Sequence, residues 1–223
     1  IKSFPHLFMA HLKGGLTEDQ TKLINSLQDA VNKVTKRVDQ MSSITNILVG
    51  RYSFAIEKLD LASTIAVEVK NLTQLVEEKG LAINFNPEMF REASVLADKY
   101  AVGELLTELL KNAIEFTSHG SVSVDVVAST DKDLVAKPEK DEEARYWVVK
   151  VIDTGTGIPY EVQNLLFTPF IQEGGALNRD QVRGGLGLGL YYAKLLVERQ
   201  DGNIWFETEK GEGSTFYFSL PKA

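Results

Sequence analysis

Cysteine is absent from this 223-residue chain, which excludes a disulfide framework, a thiolate metal centre and a cysteine nucleophile. Histidine is scarce too, and His6, His11 and His119 share no metal-ligand spacing. Basic charge is short: 24 Lys plus Arg stand against 31 Asp plus Glu, a formal net charge of −7. The overall field therefore opposes a polyanion, so nucleic acid is not an expected partner and phosphate can be met only by local basic groups. No apolar run approaches the roughly 20 residues that span a bilayer, and IKSFPHLFMAHLKGG at the start lacks the basic flank and clean apolar stretch of a signal peptide. We expect a cytoplasmic fragment with no membrane contact of its own, cut from a longer parent that could itself carry an anchor. With 43% hydrophobic and 25% charged residues, the chain can bury a sizeable core, and wholesale disorder is excluded.

What the chain does have is periodicity. Ile24, Leu27, Val31, Val34, Val38, Met41 and Leu48 recur at 3-4 spacing, a seam for helix-to-helix packing. Thr17 ahead of Glu18, Asp19 and Gln20 supplies an N-cap and a capping box just after Gly14-Gly15, so a short helix, a turn and a long helix form a hairpin. At ~1.5 Å per residue the seam runs roughly 36 Å, too long for one short partner, and a second chain is expected to cover the rest. Beyond Gly50 the texture changes. Leu61, Ile65, Val69, Leu72 and Val76 mark a helix that stops at Gly80, and 81–86 alternate like a strand. Asp98 caps a helix to about Thr117 with Leu105, Leu106, Leu109, Leu110 and Ile114 on its buried face. Residues 121–129 and 146–153 read as strands, 188–199 as a helix, and NIWFETE and STFYFSL as a closing strand pair, whereas 159–184 hold no sustained periodicity. This order predicts an α+β fold, a two-layer sandwich of mixed sheet covered by helices, preceded by the helical hairpin.

Three segments carry groups suited to a nucleotide. Glu108 and Asn112 lie four apart on one helix face, and an Asn amide oxygen is a hard neutral ligand suited to Mg²⁺. Asp153 ends a buried strand and is followed by Gly155 and Gly157, so an acceptor stands at a pocket floor that a ligand can approach closely. Gly184, Gly185, Gly187 and Gly189 alternate with leucine just before a helix, the arrangement that offers backbone amides and a positive helix end to phosphate. That glycine run follows no strand and lacks the Lys-Ser/Thr pair, so neither a dinucleotide fingerprint nor a P-loop fits.

Taken in order, the Asn helix, Asp-x-Gly-x-Gly, Gly-Leu-Gly-Leu-Gly and GEGSTF resemble the ATP-binding domain of sensor histidine kinases, in the superfamily shared with DNA gyrase B, heat-shock chaperone and mismatch-repair ATPases. The N box would run from Glu108 to Thr117, the first glycine box from Asp153 to Ile158, the phenylalanine box from Phe167 to Phe170, and the second glycine box from Gly185 to Gly189. Upstream, residues from Leu16 to Leu48 look like the second helix of the family's dimerisation and phosphotransfer hairpin. The resemblance divides the chain into a partial hairpin, 1–52, and an ATP-binding catalytic domain, 53–223, with a lid at about 159–184.

By resemblance, ATP and Mg²⁺ are the expected ligands. Asn112 would hold the metal, with Glu108 as a second donor. Asp153 would read adenine beside Gly155, Gly157 and Ile158, Phe116 would wall the base, and Thr215 would add a polar contact. Gly185, Leu186, Gly187, Leu188 and Gly189 would cradle the triphosphate, and Arg183 or Arg179 would meet the γ-phosphate. The chain departs from the family in lacking the phosphoacceptor His motif, which neither His6 nor His11 matches, in Glu108 where a second Asn is common, in Glu115 where a Lys is common, and in Leu186 where a Ser or Thr is usual. The resemblance implies an enzyme: a homodimeric protein histidine kinase core of a two-component system, with Glu108 and Arg183 in catalytic roles. It would transfer phosphoryl groups from Mg-ATP to a histidine outside the fragment, and on to the receiver domain of a response regulator. An ATP hydrolase of the same superfamily and a degenerate nucleotide-binding or docking module are the alternatives.

Overall fold

The structure is a computed structural model that describes residues 17–133, 144–171 and 186–223. It divides into two compact units, one ending at Tyr52 and the other spanning Ser53–Ala223. In the first, helix α1 (Glu18–Leu48) opens on the expected capping box: the Thr17 hydroxyl accepts from Gln20 N–H, and the Gln20 side chain accepts from Thr17 N–H at 3.0 Å. Ile44 and Ile47 are buried near its end, whereas Leu27, Val34, Val38, Met41 and Leu48 of the predicted seam stand exposed. The short first helix of the expected hairpin, with His6 and His11, lies outside the described residues.

The second unit is the expected two-layer α+β sandwich. Its strands are β1 (Glu57–Asp60), β2 (Ala82–Asn84), β3 (Ser94–Ala97), β4 (Ser121–Ser129), β5 (Tyr146–Asp153), β6 (Asn203–Glu209) and β7 (Gly213–Pro221). Its helices are α2 (Leu61–Glu78), α3 (Lys99–Phe116), the short α4 (Tyr160–Gln163) and α5 (Gly189–Glu198). Five strands form one sheet in the order β2-β4-β5-β7-β6, with β2 parallel to β4 and the other pairs antiparallel. β1 and β3 pair in a separate two-stranded sheet; each is only four residues long, and neither announces itself by alternation.

Register decides which residues share a face. Val122, Val124 and Val126 of β4 lie opposite Asp153, Val151 and Val149 of β5, and those in turn oppose Ser214, Phe216 and Phe218 of β7. These valines and phenylalanines are buried, as are Leu105, Leu106, Leu109 and Leu110 of α3 and Leu196 of α5. α3 packs against both α2 and α5, so it forms the spine of the helical layer. Its start is fixed by a buried carboxylate. Asp98 accepts from Ala101 N–H at 2.9 Å as N-cap and from Ala55 N–H at 2.8 Å, while its own N–H donates to the buried Gln200 side chain. The far end is held by Lys79, whose ammonium donates to the carbonyls of Ile114 and Glu115 at 2.7 and 3.2 Å. Those carbonyls lack intrahelical partners, and a cation there also complements the helix dipole.

Candidate functional site

The register that buries Val149 and Val151 carries Asp153 to the same face at the very end of β5, where it is buried. Its Oδ1 accepts from Gly155 N–H at 2.8 Å, and Ser214 N–H also donates to the carboxylate. Burial raises the Asp153 pKa above the ordinary aspartate value and outweighs those two hydrogen bonds, which lower it. A carboxylate in such a place retains acceptor lone pairs for a ligand N–H, because two backbone donors do not exhaust its four sites.

The glycines after Asp153 have a use the sequence did not disclose. A Cβ on Gly155 would meet the Phe116 carbonyl at 2.5 Å and Asp153 Oδ1 at 2.7 Å. Gly157 has φ +64, and a Cβ there would collide with the Glu209 carbonyl. Both therefore make room for the protein's own backbone and draw the end of α3 and the β6–β7 turn around the carboxylate. Thr156 N–H donates to the Phe116 carbonyl at 3.4 Å, and Gly211 N–H to the Thr156 carbonyl at 2.8 Å, along the same seams. Ile158 is fixed by its N–H donating to Thr208 Oγ1 at 2.9 Å.

On α3, Glu108 and Asn112 are half-buried at the edge of the leucine face, and Phe116, 41% exposed, ends the same helix. The Glu108 carboxylate packs against Gly189, the first residue of α5, so closely that a Cβ on Gly189 would collide with it. A carboxylate at a helix N-terminus meets unpaired amides and the positive dipole end. Leu188 is buried and belongs to the core, leaving only its backbone for a ligand, whereas Leu186 is exposed. Gly187 accepts from Phe170 N–H at 2.9 Å, tying the phenylalanine box to this segment. Phe167 of that box packs on Phe206 at 5.9 Å, and Phe206 on Phe216 at 5.8 Å. Gly185, Arg179 and Arg183, and the predicted lid from 172 onward, lie outside the described residues; 159–171 carry α4 and turns.

Thr215 is not brought to Asp153. It pairs with Ile152 and Glu207 on the opposite face of the sheet, where its side chain hydrogen-bonds Tyr217. Tyr217 also donates to Glu207 at 2.6 Å, and burial followed by Glu207 pushes its pKa up to about 12. The residue facing Asp153 is Ser214, buried and directly opposite it. Its hydroxyl lies 2.9 Å from that of Thr208. Parity could have found it, since Phe216, Phe218 and Leu220 make the even positions of β7 the inward ones.

The donor set suits Mg²⁺. Asn112 and Glu108 offer one neutral and one anionic oxygen on adjacent turns of one helix face, leaving further positions to water and phosphate as that ion prefers. Among the described residues no group of three or more His, Cys, Asp or Glu gathers into a self-sufficient metal centre. Asp153 and Ser214, with the N-terminus of α5, present acceptors for a base and donors for phosphate.

Comparison with known proteins adds to this geometry. Residues 97–223 match the family described as histidine kinase-, DNA gyrase B-, and HSP90-like ATPase. Among curated proteins the chain is 28% identical to two-component system protein A of Emericella nidulans, over 92% of this chain and 29% of that protein. It is also 28% identical to the signal transduction histidine-protein kinase BarA of Escherichia coli K12, over 94% of this chain and 22% of that protein. The chain thus spans under a third of each relative's length. Its fold is that of ShkA, solved full-length in complex with AMPPNP (TM-score 0.74, 20% identity, 99% of this chain and 45% of that one), and of the Acinetobacter baumannii histidine kinase AdeS (TM-score 0.66, 16% identity, 99% and 93%).

Proposed function

Because the chain belongs to the histidine kinase-, DNA gyrase B-, and HSP90-like ATPase family, with an ATP-binding domain of the sensor histidine kinase kind, we propose that it is the catalytic core of a two-component protein histidine kinase. The observation that carries the reading is the buried Asp153, an acceptor standing at the end of β5 with no basic partner among its hydrogen bonds. Asp153 accepts a hydrogen bond from the adenine amine, and Phe116 shields the base. Asn112, with Glu108, holds a magnesium ion, which when bound supplies charge neutralisation to the triphosphate. Backbone amides of Gly187 and Gly189 receive phosphate oxygens at the α5 N-terminus, with Gly185 and Arg183 completing the cradle.

Transfer to a histidine asks for positioning more than for a strong base, because neutral imidazole is a competent nucleophile near pH 7. Glu108 orients the incoming ring by accepting its far N–H, a role consistent with a half-buried carboxylate held against Gly189. The acceptor histidine belongs to a segment outside this chain, the exposed α1 seam is covered by a second copy, and a receiver domain takes the phosphoryl group onward. None of the described helices is long and apolar enough to cross a membrane. Hydrolysis is the second reading, because Glu108 one turn before Asn112 could equally polarise water.

Labelled ATP supplied with a hairpin bearing the phosphoacceptor tests this. Wild type should phosphorylate the hairpin, Glu108→Gln should slow transfer by about 10²-fold, and hydrolysis without hairpin should be slow in both. Brisk hairpin-independent hydrolysis that Glu108→Gln stops would replace kinase by hydrolase. Asp153→Ala should lose ATP affinity by roughly 1 to 3 kcal/mol in calorimetry; equal affinity would remove the adenine assignment.

A further inference from the structure

Thr208 enters no part of the mechanism above, yet its hydroxyl is the most heavily used near Asp153. Three groups surround Oγ1: Ile158 N–H at 2.9 Å, the Gly213 carbonyl at 3.0 Å and the Ser214 hydroxyl at 2.9 Å. A hydroxyl has one proton and two acceptor sites. Ile158 N–H can only donate and the Gly213 carbonyl can only accept, so one acceptor site and the single proton of Thr208 are spoken for. The remaining acceptor site takes the proton of Ser214. In the opposite arrangement the Gly213 carbonyl loses its bond from Thr208 and the buried Ser214 proton has no other hydrogen-bond acceptor among the described residues, which costs more than the arrangement that pairs every group.

The consequence falls on the nucleotide base. With its proton turned towards Thr208, Ser214 presents only lone pairs on its other side, and it lies directly across the ladder from Asp153, at ~4.5–5.5 Å between Cα atoms. The pocket floor thus holds two acceptors and no hydroxyl donor. Such a floor suits an exocyclic amine with its two N–H groups and repels a carbonyl oxygen at the same place.

We propose that Thr208 is a specificity-positioning residue: it orients the Ser214 hydroxyl so that the site selects a 6-amino over a 6-oxo purine nucleotide. The inference rests on the reading of Asp153 as the adenine acceptor, and goes beyond it by assigning base discrimination to a residue that need not touch the base. If Thr208 loses its hydroxyl, the Ser214 proton is free to rotate and can donate to a 6-oxo group.

The test is equilibrium binding of ATP and of inosine triphosphate, which carries the 6-oxo group, to the whole chain by calorimetry. The readout is the ratio of the two dissociation constants. Wild type should prefer ATP, and Thr208→Val, nearly equal in volume, should reduce the preference by about tenfold. Thr208→Ser should restore it, since the hydroxyl returns. Ser214→Ala, which leaves the Thr208 contacts to Ile158 and Gly213 in place, should reduce the preference as well and serves if Thr208→Val does not fold. An unchanged ratio in Ser214→Ala or in folded Thr208→Val overturns the proposal while leaving the ATP site standing, as does a Thr208→Ser variant that behaves like the valine one. Wild type that binds neither nucleotide overturns the adenine site itself, and this inference with it.

Discussion

Helices α1 and α3 carry the same kind of apolar repeat and meet different fates. α3 buries Leu105, Leu106, Leu109 and Leu110 completely, whereas α1 leaves Leu27 58%, Val34 60% and Val38 58% exposed. Periodicity says that a helix has an apolar face; it does not say whether the same chain supplies the cover. For α3 the cover comes from sheet and neighbouring helices, and the helix can then be used as a rigid rail that presents Glu108, Asn112 and Phe116 along the edge of its buried face. For α1 the exposed stripe favours a partner from outside the chain, in line with our proposal of a homodimer.

The largest effect expected from breaking this contrast is in α3. Leu106→Ala should cost about 2 to 5 kcal/mol in urea unfolding, because a close-packed site cannot collapse around the lost atoms. Next is the start of the same helix: Asp98→Ala removes the N-cap and leaves Ala55 N–H without its acceptor. It should cost about 1 to 3 kcal/mol in the same assay. In α1, Val34→Asp should leave that unfolding transition within about 0.5 kcal/mol but convert a dimeric mass to a monomeric one by light scattering at tens of micromolar. A wild type that is already monomeric under those conditions would mean that something other than a second copy covers the seam.

The smallest effect is expected at Asp153, where function and stability oppose each other. Its pKa is raised in the folded chain, so the folded state holds the proton more tightly than the unfolded one, and stability falls as pH rises through the ordinary aspartate range to the raised value. Asp153→Asn should therefore melt slightly higher than wild type at neutral pH, with the gap closing below the ordinary value of 3.8, even as ATP affinity drops. A variant that melts lower at neutral pH would show that the two backbone hydrogen bonds outweigh the burial cost.

Much of the candidate site was legible before any coordinates. Glu108 and Asn112 share a face because helical spacing requires it, and Asp153 ends a buried strand because its apolar run stops there. Thr215 misled because a motif gives order along the chain but not the side of the sheet. Ser214, its neighbour, faces inward with Phe216, and one residue of register moves a side chain to the other face. Thr208 carried no signal at all, since its partners Ile158, Gly213 and Ser214 come from two other segments.

Composition and spacing by themselves determined the class of fold and the helices and longer strands, because these depend on local period and on residue type, and the motifs in their order carried the family resemblance. Tertiary structure alone decided which apolar stripe is covered, that Thr208 meets Ile158 and Ser214, and that the glycines after Asp153 clear space for the Phe116 and Glu209 carbonyls. Those outcomes depend on contacts between segments tens of residues apart, and side-chain periodicity within one element holds no information about what packs against it.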